Sequence, residues 1–134
     1  MESADLIGRR CKGLVAREFW RSGRMVDEFC AVFLEDDHGD AWKFYLDDEE
    51  CSWKFEQVRE VPAAGMTEGD TEFNYPATDL LTRFPIRDRV IQSLSKEDLG
   101  TFARIAIGLS GGQALVLDFE YATETTTVTV KRAG

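Results

Sequence analysis

His38 is the one histidine of the chain and stands in Asp36-Asp37-His38-Gly39-Asp40, so any serine–histidine–acid relay would have to use it. One imidazole makes no metal-binding cluster. The acids around it also miss the calcium-loop spacing: counting from Asp36, the sixth position is Ala41 where the loop needs Gly, and the twelfth is Asp47 where it needs Glu. Cys11, Cys30 and Cys51 are odd in number, widely spaced and without a Cys-x-x-Cys pair, which points to buried or half-buried reduced thiols rather than a disulfide frame or a zinc site. Acid–base chemistry needs two carboxylates at a set separation, which spacing among the chain's 25 acids does not locate. Trp20, Trp42 and Trp53 have the size to wall a ligand pocket, but alternating strand positions assign them to a core. No catalytic, cofactor-binding or metal-binding residue is therefore assigned.

Two short strings resemble family signatures. Leu109-Ser110-Gly111-Gly112-Gln113 resembles the signature of ABC transporter ATPases, and Gly111-Gly112-Gln113 looks like the tripeptide of class I peptide-chain release factors. The first family needs a Gly-rich loop ending Gly-Lys-Ser/Thr and a helix after the signature; this chain lacks the loop and continues Ala114-Leu115-Val116-Leu117, a strand pattern. The second presents its tripeptide on a mobile basic segment. Both departures leave a Gly-rich hairpin turn as the reading.

Charge is more informative than motif. The net charge is −9, yet residues 1–26 carry +3, residues 27–72 carry −12, and residues 73–134 are neutral. Such a middle third repels nucleic acid and attracts basic partners. Arg9, Arg10 and Lys12 are too few for a nucleic-acid footprint. No apolar run approaches a membrane span, and Met1–Asp5 is neither basic nor followed by an apolar stretch, so a cytoplasmic protein with no membrane partner is expected.

The elements that would position these groups are mainly strands. Leu14–Trp20, Met25–Glu35, Ala41–Leu46 and Cys51–Val58 read as a four-stranded meander, with Trp42, Phe44 and Leu46 on one face and Cys51, Trp53 and Phe55 on one face. Glu60–Pro76, with Pro62, Gly65 and Gly69, reads as a long acidic loop. Thr78 is placed to cap a short helix over Asp79–Phe84 that Pro85 ends. Arg87–Leu94 reads as a strand, Ser95–Asp98 as a turn or helical turn, and Phe102–Leu109 with Ala114–Tyr121 as a hairpin. Thr125–Lys131 is nearly all β-branched and reads as the last strand.

Shifting the sequence by 73 residues lays Phe29–Leu46 on Phe102–Phe119 without a gap, matching Gly39 to Gly112 and the apolar alternation on both sides. The fold expected is mainly β, a β-rich α+β chain. Two tandem antiparallel meanders pack as a sandwich or partly open barrel, with one or two short helices. Residues 1–134 form a single domain, with halves of about 1–58 and 79–132 joined by a loop at 59–76.

Alternate turns of a meander share an end of the sheet, so Glu35, Asp36, Asp37 and Asp40 are expected beside Glu60, Glu68, Asp70 and Glu72, a rim with little basic compensation. In size, charge and missing catalytic equipment the chain is similar to small acidic bacterial immunity proteins that neutralise basic nuclease toxins. That similarity implies a non-catalytic protein-binding domain of immunity or inhibitor type with a basic partner. The other classes kept open are a small-ligand-binding or enzymatic β-domain with a pocket between the halves, and a homodimer joined along strand edges.

Overall fold

The computed structural model describes residues 3–47 and 49–132, and side chains from Asp5 onward. After a four-residue helix α1 (Ser3–Leu6) come β1 (Cys11–Arg21), β2 (Arg24–Asp36), β3 (Ala41–Asp47), β4 (Ser52–Val58), β5 (Thr67–Gly69), β6 (Phe73–Asp79), β7 (Ile91–Asp98), β8 (Phe102–Leu109), β9 (Gln113–Glu120) and β10 (Thr125–Arg132). They form two antiparallel sheets, a six-stranded one ordered β4-β3-β2-β1-β6-β5 and a four-stranded one ordered β10-β9-β8-β7. The sheets do not close into a barrel; they face each other as a sandwich.

Each sheet contains the same up-and-down order of four strands. Val32 faces Phe44 where Ile105 faces Leu117, and Phe44 faces Phe55 where Leu117 faces Val128, so the pairings of β2-β3-β4 recur 73 residues on in β8-β9-β10. The inward positions follow the period of two. Val32, Leu34, Trp42, Phe44 and Trp53 from one sheet meet Ile105, Ile107, Leu115, Leu117 and Val128 from the other in one buried cluster. Aromatic burial here stabilises at roughly 25 cal/mol per Å² of apolar surface. The Trp53 indole N–H also donates to the Ala103 carbonyl across the layers at 2.8 Å, which satisfies its polar edge and fixes the sheets' relative position.

Four expectations need correction. The acidic loop at 60–76 contains β5 and β6, a hairpin laid along the free edge of β1 (Arg17 opposite Ala77, Arg21 opposite Phe73). Pro76 tolerates this position because the neighbouring ladder bond runs from Ala77 N to the Met66 carbonyl, so its missing N–H is not needed. Gly69, at φ +101°, lies so close to the Phe73 backbone that any side chain would collide there.

The helix expected over Asp79–Phe84 is a single turn closed by Phe84 N to the Leu80 carbonyl; Asp79, not Thr78, caps it by accepting from Leu81 N. The seventh strand starts at Ile91 rather than Arg87, and Ser95–Asp98 continues it instead of turning. Finally, Cys51 lies outside β4 and is exposed, while Cys11 is buried and Cys30 half-buried; all three are reduced, none in a disulfide.

Candidate functional site

The eight acids expected to form one rim do not all lie together. Asp36 faces Cys11, at the start of β1, whereas Phe73 faces Arg21, at its end, so the turn holding Asp70 and Glu72 is at the opposite end of the sheet from Glu35–Asp40. The chain does leave β4 beside the Asp40 turn, since Val58 faces Ala41, but it then crosses to the far edge of the sheet as the β5–β6 hairpin. Asp70 serves its own turn, its Oδ1 accepting from Glu72 N and Phe73 N. Glu68 pairs with Arg17 at 3.3 Å. Glu35 and Glu72 are exposed.

Compensation is also present where little was expected. Asp36 is 1% exposed and is the hub of a knot: its Oδ2 accepts from Arg9 Nη1 at 2.7 Å and the Trp42 indole N–H at 2.9 Å, and its Oδ1 from His38 N and Asp40 N. Arg9 Nη1 also meets Asp40 at 2.6 Å, and Arg10 N donates to Asp37. Burial alone would raise the Asp36 carboxyl, but the guanidinium, the indole and the two amides outweigh it and hold the group below the usual carboxylate range. His38 enters the knot through its backbone N–H, and its side chain is exposed. Among the described residues no group of three or more His, Cys, Asp or Glu is placed to hold a metal ion.

The other half of β2 builds a cleft. Pairing of β2 with β3 stops at Val32–Phe44, but β1 stays on β2 through register shifts after Arg17 out to Arg21–Arg24, and β4 stays on β3 out to Asp47–Ser52. The bulged hairpin β1–β2 therefore diverges from β3–β4 like the arms of a fork, because extra residues in one strand increase its local twist and bend. The gap is a cleft of about 800 Å³, walled by Phe19, Val26 and Cys30 on one arm, Leu46 and Cys51 on the other, and Phe119, Tyr121 and Thr126 from the second sheet.

Asp27 lies in this cleft at 9% exposure. Its Oδ1 accepts from Phe29 N at 3.1 Å on its own strand and from Thr126 N at 3.2 Å on β10, tying the two sheets. Burial pushes its carboxyl above the ordinary value, the two amides only partly opposing this. Tyr121 is likewise raised, chiefly by burial and then by neighbouring Asp98. Burial holds the Cys30 thiol up at about 11, so it is protonated and a poor nucleophile at neutral pH.

The mouth of the cleft is acidic. The turn joining Leu46 to Cys51 carries Asp47, Glu49 and Glu50; Glu124 is part of the lining; Glu97 and Asp98 adjoin Cys51 in a neighbouring hollow. Three cations on the β4 and β7–β8 side are engaged, Lys54 with Glu50, Arg104 with Asp118 at 2.7 Å, and Lys96 with the Trp53 carbonyl at 3.2 Å, while Arg24 stands exposed at the tip of the β1–β2 arm.

No family model, curated protein or solved structure matches the chain. Among the described residues no helix is long and apolar enough to cross a membrane. Ser110–Gly112 forms the β8–β9 turn, with Gly111 and Gly112 both at positive φ, so the two signature-like strings lie in and beside a hairpin turn.

Sequence reasoning missed both arms of this picture. Asp36 continues the inward alternation of Val32 and Leu34, a signal that was present. Asp27 had none: a bulge moved it relative to the same alternation, and nothing in Met25-Val26-Asp27-Glu28 separates it from Glu28, which pairs with Arg83 at 2.7 Å on the surface.

Proposed function

We propose that this protein is a non-catalytic binding domain that receives a basic protein partner at the forked end of its sandwich. The observation that carries the reading is the combination found there: an open cleft with aromatic walls, bordered by carboxylates on the β3–β4 and β7–β8 side, where Lys54, Lys96 and Arg104 are already occupied. Such a field accelerates encounter with a cationic surface, and the cleft gives the encounter a shaped place to end. Covering a basic active surface is how an inhibitor or immunity protein acts, and this arrangement suits it. The turn at Glu35–Asp40 is a poorer candidate because Arg9 and Arg10 lie against it.

The test is affinity capture with the full chain at low and high salt, using two charge reversals. Glu49→Lys with Glu97→Lys should abolish salt-sensitive retention of a basic partner, whereas Glu35→Lys with Asp37→Lys should leave it intact. Equal capture by both variants would remove the forked end from consideration.

A further inference from the structure

We propose that the floor of the cleft is an arginine-recognition site in which Asp27 receives the guanidinium of a side chain projecting from a basic partner. This rests on the reading above and deepens it by naming the recognised group. Both amide bonds to Asp27 fall on Oδ1; among the described residues Oδ2 has no protein partner and is still open to solvent, although the residue as a whole is nine-tenths buried. A buried carboxylate with no cation beside it is costly, and a cation that enters the cleft relieves that cost.

The walls decide which cation. Phe19, Phe119 and Tyr121 offer ring surfaces, the last two packed edge to face at 6.1 Å. A planar guanidinium stacks on such rings and bonds a carboxylate in the same plane; an ammonium, a strongly hydrated point charge, does neither as well. The arm of the fork also supplies Val26, 44% exposed, as an apolar rest for the side-chain stem.

The experiment titrates the isotope-labelled full chain with acetyl-arginine amide at low salt and follows the backbone amides of Phe29 and Thr126, which report on Asp27 directly. Saturable shifts at those two amides are expected, with acetyl-lysine amide weaker and acetyl-citrulline amide, the uncharged isostere, at least tenfold weaker. Asp27→Asn, which keeps an oxygen for both amides, should weaken the arginine probe at least tenfold while its spectrum stays native. Should that variant not fold, Thr123→Trp at the exposed lip of the cleft should block the probe without touching Asp27, and Glu35→Gln should not change it.

Equal binding of arginine and citrulline probes, or undiminished binding to a folded Asp27→Asn, overturns the site. The two proposals fail separately. Loss of the arginine probe's specificity with partner capture still sensitive to Glu49 and Glu97 defeats this inference alone. Specific arginine binding with capture indifferent to those reversals defeats the partner reading alone.

Discussion

Asp36 and Asp27 are buried carboxylates on one strand, nine residues apart, and the structure treats them in opposite ways. Asp36 accepts four hydrogen bonds, one from a guanidinium, and lies below the ordinary carboxylate range; Asp27 accepts two, both on one oxygen, and lies above it. A buried charge surrounded by matched donors is a structural element. One left half matched, at the wall of a cleft, keeps capacity for something from outside. The ends of β2 thus divide the labour: the end paired with β3 fixes the sheet, and the end that runs on past β3 opens it.

The strongest attack on that contrast is Asp36→Ala. It strips acceptors from Arg9, the Trp42 indole and two amides together, and should cost about 3–5 kcal/mol in denaturant unfolding. A loss under 1 kcal/mol would mean the knot is ornamental and the contrast empty.

Next in size is a difference in pH response. Asp36, lowered in the fold, contributes stability that is present above the unfolded carboxylate value of 3.8 and is lost as the pH falls through its folded value. Asp27, raised in the fold, does the reverse. Between 3.8 and its folded value the native state binds the extra proton, so stability declines as the pH rises through that window and stays lower above it. Unfolding curves from pH 3 to 7 should show that decline flattened in Asp27→Asn, with a neutral-pH change of about 1 kcal/mol or less because Oδ1 still has its two amides. A steeper decline in the variant would reverse the assignment of the two roles.

The smallest effect is reserved for Glu35→Gln. Exposed beside the knot but outside its bonds, it should shift stability by no more than about 0.5 kcal/mol in the same assay. A larger loss would extend the knot to the surface.

Much of the fold was legible because alternation is a local signal with a local cause. In β3, β8, β9 and the stretch of β2 from Cys30 to Leu34 every second residue is apolar, and the β2–β3 and β8–β9 turns carry Gly, so both hairpins and their common offset of 73 can be read directly. The β5–β6 hairpin was hidden because Pro62, Gly65, Gly69 and Pro76 interrupt the pattern; Pro76 is tolerated only because its side of the ladder asks nothing of it. The candidate site was less legible still. The acids of the middle third are plain in composition, but Arg9 neutralises two of them from 27 and 31 residues away, a pairing no local pattern announces.

The amino-acid sequence by itself determined that this chain buries one face of each of two antiparallel meanders, rich in Trp and Phe in the first and in Ile and Leu in the second, since a period of two collects the apolar side chains on one side of each strand. Tertiary structure alone decided where its charge is available. Strand order, the bulges after Arg17 and the fork they open depend on contacts between residues far apart in the chain, and those contacts bury Asp36 among donors and leave Asp27 facing a cleft.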